Sequence, residues 1–95
     1  MKVIVVYDIP EEWGEVRRRL REALKNMGGV FRQLSVYEID LEPRELPRLV
    51  EVVKAYVESC GGRAEIIQPC ARCYAKIRSV GARGGLAADS EGPRL

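Results

Sequence analysis

The chain has 95 residues, 46% hydrophobic and 32% charged, with 16 basic against 14 acidic side chains and a net charge of +2 at pH 7. That length holds one hydrophobic core, which excludes a multidomain enzyme, and the near-balanced charge leaves any nucleic-acid binding to local clustering. With no histidine, histidine general bases, Ser-His and Cys-His dyads and histidine-ligated zinc are all excluded. Acid–base chemistry therefore falls to a carboxylate, a tyrosine, a lysine or a water activated by a bound metal. Three cysteines are too few for a disulfide-built secreted scaffold. The opening stretch MKVIVVYDIP is broken by Asp8 too early for a signal peptide or a membrane span, so the expected location is the cytoplasm.

Residues 2 to 9, KVIVVYDI, form a nearly continuous β-branched run, the pattern of a central strand buried on both faces. Pro10, Glu11 and Glu12 supply helix-start chemistry. Trp13, Val16, Leu20, Ala23, Leu24 and Met27 then share one helical face until Gly28-Gly29 stops the helix. Residues 31 to 41, FRQLSVYEIDL, alternate in two phases. Because strand alternation has period two, the phase change near Val36 and Tyr37 predicts a tight turn or bulge between two short strands. Pro43 opens a second amphipathic helix with Leu46, Leu49, Val50, Val53, Val57 and Cys60 on one stripe, ended by Gly61-Gly62. Pro47 removes a helical hydrogen bond, so the regular helix is expected to begin near Leu46. Residues 63 to 69 read as a fourth strand closed by Pro69, and residues 74 to 80, YAKIRSV, as a fifth after a CARC turn. The order β-α-β-β-α-β plus one strand predicts an α+β, ferredoxin-like domain over residues 1–81. Residues 82–95 form a glycine-rich C-terminal tail without periodicity.

Asp8 is the first candidate for chemistry. A lone carboxylate at the end of an apolar central strand is both ordered and accessible, and suits a hard cation such as magnesium. The competing reading is a local one, in which the side chain bonds the backbone N–H groups of the following turn. One carboxylate is a poor metal site by itself, but a symmetric homodimer presents two. Arg17, Arg18, Arg19, Arg21 and Lys25 form the densest basic cluster, read either as phosphate contacts or as a solvated face paired with Glu11, Glu12, Glu15 and Glu22. Arg32 and Tyr37 offer a further phosphate contact and a stacking ring, against a packing role for the ring. Cys70 and Cys73 have CxxC spacing, but zinc would have only Cys60 or carboxylates to complete its four ligands, and a strand expected after the motif argues against a redox-active thiol, leaving a structural turn, with a disulfide only in an oxidising or hot cell.

Read together, VIVVYDI, QLSVYEIDL and IIQPCARCYAKIRSVG resemble the small CRISPR-associated protein two family over roughly residues 3 to 81. The resemblance implies a ferredoxin-like homodimer in which paired Asp8 carboxylates hold a divalent metal, Mg2+, and the fifth strand extends the partner's sheet. It implies either a metal-dependent endonuclease acting on RNA or DNA in spacer acquisition, or a non-catalytic scaffold that binds duplex DNA beside the CRISPR integrase subunit. Basic residues early in the first helix belong to the same pattern, which favours Arg17 and Arg19 as phosphate contacts. In the nuclease reading Asp8 is catalytic as a metal ligand. In the scaffold reading Arg17, Arg18 and Arg19 of both subunits grip phosphates, and binding survives loss of Asp8. A third reading, a small-ligand regulatory domain, requires no nucleic-acid affinity.

Overall fold

The computed structural model describes residues 1–81, so the 82–95 tail lies outside the described residues. Four strands, β1 (Lys2–Asp8), β2 (Val30–Gln33), β3 (Val36–Asp40) and β4 (Arg63–Ile67), form one sheet in the order β2-β3-β1-β4, and every neighbouring pair is antiparallel. Helices α1 (Gly14–Asn26) and α2 (Leu46–Glu58) each follow a 3-10 turn, over Glu11–Trp13 and Pro43–Glu45, and a short α3 (Ala71–Ala75) ends the described fold. This is the ferredoxin-like β-α-β-β-α-β arrangement. Among the described residues, no helix is long and apolar enough to cross a membrane.

The core follows from the two periodicities. Along β1 every second residue is buried, with Val3, Val5 and Tyr7 on one side, and the register sets Val3 opposite Ile39 and Val5 opposite Tyr37. Leu20 and Leu24 of α1 and Leu49, Val53 and Val57 of α2 close over that face. Burial of such a cluster is the main favourable term for a domain this small. The expectation that β1 is buried on both faces is corrected: Ile4 and Val6, on the other face, stay half-exposed because neither α1 nor α2 lies on that side. Trp13 and Val50, expected on the helical stripes, are 43% and 39% exposed; Trp13 precedes α1, and Val50 sits beside the stripe.

The breakers act where expected. Leu46 opens α2 after the 3-10 turn, which places Pro47 in the first turn, where an amide hydrogen is not needed. Glu42 and Glu45 close a reciprocal capping box over that turn. The β2–β3 turn falls at Leu34 and Ser35, two residues before the phase change in the sequence. Ser35 adopts φ 65, and a register shift between Phe31 and Gln33 accommodates Arg32. The fifth strand expected over residues 74–80 is not formed. Cys70 instead caps α3, whose last residues are Tyr74 and Ala75, and the chain from Lys76 to Val80 adopts neither helix nor strand. A strand persists only through its ladder, and within one chain this segment pairs with none.

Candidate nucleic-acid cleavage site and the open face of the sheet

Alternation along β1 sends Asp8 to the face opposite Tyr7, and the two strand ends beside it fix its backbone. Asp8 pairs in register with Arg63 of β4. The Tyr7 amide donates to the Ser35 carbonyl at 3.0 Å, which carries the ladder into the β2–β3 turn. Gly62 packs so closely that a Cβ there would stand 2.8 Å from the Asp8 carbonyl oxygen. On the other side Arg17 donates from one guanidinium nitrogen to the carbonyls of Ile9 and Pro10, at 3.3 Å each. The backbone on either side of Asp8 is therefore fastened while its side chain stays exposed.

No described residue forms an ion pair with the Asp8 carboxylate. The 3-10 turn after β1 begins at Pro10 and has no side-chain cap. Asp8 opens on a shallow groove of about 260 Å³ between β1 and β4, lined also by Val6, Arg63, Ala64 and Glu65. Glu65 is a second carboxylate on the same face, opposite Val6 in the register and held by Arg63 at 3.4 Å. Its alternation with Ala64 and Ile66 is the one sequence signal that places it on this face. Among the described residues there is no cluster of three or more metal-ligating side chains; the groove of one chain holds two carboxylates, Asp8 and Glu65, of which Glu65 is paired with Arg63.

The basic candidates separate. Arg18 pairs with Glu15 at 2.6 Å and Glu22 at 3.2 Å, and Arg19 pairs with Glu15 at 3.2 Å. The Arg18 hydrogen bond, followed by that of Arg19, holds the Glu15 carboxyl below its usual range. These are helix-face pairs at spacings three and four, which solvent screens. Arg17 is turned to backbone at the Asp8 end of β1.

Arg32 and Tyr37 are corrected. Tyr37 is 2% exposed, edge-on to Phe31 with ring centroids 5.8 Å apart, so its ring belongs to the core and offers no face to a base. The Arg32 guanidinium donates to Glu38 at 3.0 Å with 14% of its side chain exposed, so it is occupied inside the protein. The reason is the β2–β3 register, which places Phe31 against Tyr37 on the helix side and Val30 opposite Glu38 on the other.

Glu38 is the centre of a network that the sequence did not disclose. Although it faces away from α1 and α2, it is 5% exposed, because Arg32, Lys2 and Tyr74 cover it. The Tyr74 hydroxyl donates to Glu38, and the Lys2 ammonium lies 5.5 Å from the Tyr74 ring centroid. That hydrogen bond is the first cause that pushes the Tyr74 phenol up to about 12. Burial pushes Tyr7 to about 12 as well, so both phenols stay protonated at neutral pH.

Residues 1–77 match the family described as CRISPR associated protein Cas2. The chain is 39% identical over 83 residues to a protein of Methanopyrus kandleri named CRISPR-associated endoribonuclease Cas2, a match covering 85% of this chain and 82% of that relative. The fold is similar to the crystal structure of Streptococcus pyogenes Cas2 at pH 6.5, with a TM-score of 0.66 and 24% identity over 85% of this chain and 100% of that one.

Proposed function

The chain belongs to the CRISPR-associated Cas2 family, and from that premise we propose that it is a homodimeric, metal-dependent endonuclease of spacer acquisition that cleaves phosphodiester bonds. The observation that carries this reading is Asp8, an exposed carboxylate without a side-chain partner among the described residues, fixed by its backbone at the mouth of a groove. The relative from Methanopyrus kandleri, named an endoribonuclease, supports RNA as the first substrate to test.

A second copy answers two needs of the open face. Ile4, Val6 and Val36 are half-exposed there, and Val30 and Ile67 are 42% and 44% exposed, a band of apolar surface that a facing sheet would cover. A twofold axis near the end of β1 would also set two Asp8 carboxylates toward one ion, which a single chain cannot do. Carboxylate oxygens in a chain without histidine fit a hard cation such as Mg2+, which accepts few protein ligands and keeps its waters. When bound, Mg2+ supplies the Lewis acidity that polarises a scissile phosphate and activates a water. The chain's own residues do the positioning: Asp8 presents the charge, Gly62 and Arg17 hold the backbone around it, and Tyr7, protonated and buried on the other face, packs beneath it.

The integrase-scaffold reading requires α1 to grip duplex DNA through Arg17, Arg18 and Arg19. Arg17 is turned to the carbonyls of Ile9 and Pro10, which weighs against it, whereas the exposed pairs of Arg18 and Arg19 with Glu15 and Glu22 are weak enough for phosphates to replace. Labelled single-stranded RNA and duplex DNA, incubated with wild type and Asp8→Asn in magnesium and in chelator, separate the two. We expect Asp8→Asn and chelation each to lower cleavage at least about 100-fold, beyond what loss of an outer-shell group costs. Equal cleavage by both proteins, or a monomeric mass well above micromolar concentration, overturns the shared-ion reading. Equal duplex binding without cleavage returns the scaffold.

A further inference from the structure

The CxxC motif at Cys70 and Cys73 is left unused by the nuclease reading. The strand expected after it argued against thiol chemistry, but the structure places a helix there: Cys70 is the N-cap of α3 and Cys73 its third residue. The Cys73 amide donates to the Cys70 sulfur at 3.4 Å, which draws the Cys70 side chain over the turn that carries Cys73. Both are free and exposed, whereas Cys60 is buried, with its thiol directed at the Tyr56 and Val57 carbonyls.

Cys70 also opens on a cavity of about 620 Å³ between α3 and the start of the sheet. Its wall is more apolar than polar, with Pro69 and Ala71 beside Cys70, and the Met1 amino group and the Lys2 ammonium on it are paired with Asp40 at 3.2 and 3.6 Å. A pair of accessible sulfurs in one turn, one of them at the wall of a cavity large enough for a small disulfide, is the arrangement that thiol exchange needs.

We propose that Cys70 and Cys73 are a thiol–disulfide exchange pair whose co-reactant is a low-molecular-weight disulfide seated in this cavity. Cys70 is the sulfur of the pair that lines the cavity, and the Cys73 amide, and after it the Cys73 thiol, hold its thiol below the ordinary range; together these make Cys70 the attacking sulfur. Its thiolate attacks one sulfur of the small disulfide, the S–S bond breaks, and the other sulfur leaves as a thiolate. Cys73, its proton released to solvent, then attacks the Cys70 sulfur and expels the second small thiolate. Two protein thiols are oxidised by two electrons and the small disulfide is reduced to two thiols.

The consequence passes to the open face through one residue. Tyr74 follows Cys73 directly and donates to Glu38, so a bond across residues 70 and 73 fastens the turn that delivers Tyr74 to the sheet. Reduction leaves that turn to its hydrogen bonds.

The test uses the full chain with oxidised glutathione as the probe. Trypsin cuts after Arg63, Arg72 and Lys76, so a disulfide joins peptides 64–72 and 73–76. We expect wild type to lose two hydrogens in mass and yield the joined peptides, with Cys60 unmodified. Cys73→Ser should accumulate one glutathione on Cys70, and Cys70→Ser should take up glutathione at Cys73 about tenfold more slowly. Wild type carrying glutathione on both cysteines with separate peptides, or equal uptake by the two variants, overturns the proposal. Amide exchange through Tyr74–Lys76 should be slower in the oxidised protein, and unchanged exchange removes the link to Tyr74.

Discussion

The two faces of the sheet are built from the same strands by different means. On one, Val3, Val5, Tyr7, Tyr37 and Ile39 meet α1 and α2 in a sealed apolar layer. On the other, Glu38 is buried almost as deeply, but by Arg32, Lys2 and Tyr74, while Asp8 at the far end of β1 is left open to solvent. Apolar burial is insensitive to direction and tolerates adjustment. A buried carboxylate is stable only while each partner stays in place. The face that is held by named pairs is thus the one whose cover can be changed, and it is also the one that carries the candidate site.

Substitutions on the two faces should separate stability from activity. Leu20→Ala, in the sealed layer, should cost about 3–4 kcal/mol of unfolding free energy in denaturant titration. Asp8→Asn should change stability by no more than about 0.5 kcal/mol while it removes cleavage, because its carboxylate makes no contact that folding requires. A destabilisation by Asp8→Asn comparable with that of Leu20→Ala would make Asp8 a structural residue.

Glu38→Ala tests the second face directly. It leaves Arg32 half-buried without its partner and releases Tyr74, so we expect a loss of about 2–3 kcal/mol. A near-neutral result would show that Arg32 and Lys2 escape to water at little cost.

The smallest effect is on pH. The Tyr74 phenol is raised to about 12, mainly by its hydrogen bond to Glu38, so its contribution is complete below the ordinary tyrosine value near 10. In that window the unfolded chain releases its phenol proton first, and stability falls as pH rises from about 10 toward 12. Tyr74→Phe should flatten this alkaline decline in a series of denaturation midpoints between those limits. An unchanged slope would assign the decline to Tyr7, whose phenol is raised to about 12 by burial instead.

How much of this was legible depended on whether the signal was local. Pro47 marked the start of α2 because a missing amide hydrogen has few places to go in a helix, and the apolar stripes located Leu20, Leu24, Leu49 and Val53 in the core. Asp8 stood out as the charge that ends an apolar strand. Residues 74–80 alternate like a strand but form none within one chain, because the first two belong to α3 and no edge of the chain's own sheet is paired with the rest. Tyr37 and Arg32 were nominated as types suited to nucleic acid, and their directions were set by a register that composition does not report. Glu38 was not singled out because nothing in its strand reports the Arg32, Lys2 and Tyr74 that cover it.

The sequence by itself determined the order of the elements through β4, the helix boundaries at Pro43, Pro47 and the glycine pairs, and the place of Asp8 at a strand end. Each of these rests on periodicity, backbone stereochemistry or a run of neighbouring residues. Only the tertiary structure decided which charges are spent on one another. Arg18 and Arg19 turn to Glu15, Arg32 and Tyr74 turn to Glu38, and Asp8 is left with an exposed carboxylate. Ion pairs between distant segments form where the sheet register and the path of α3 bring them within a few ångströms, and separation along the chain carries no record of that distance.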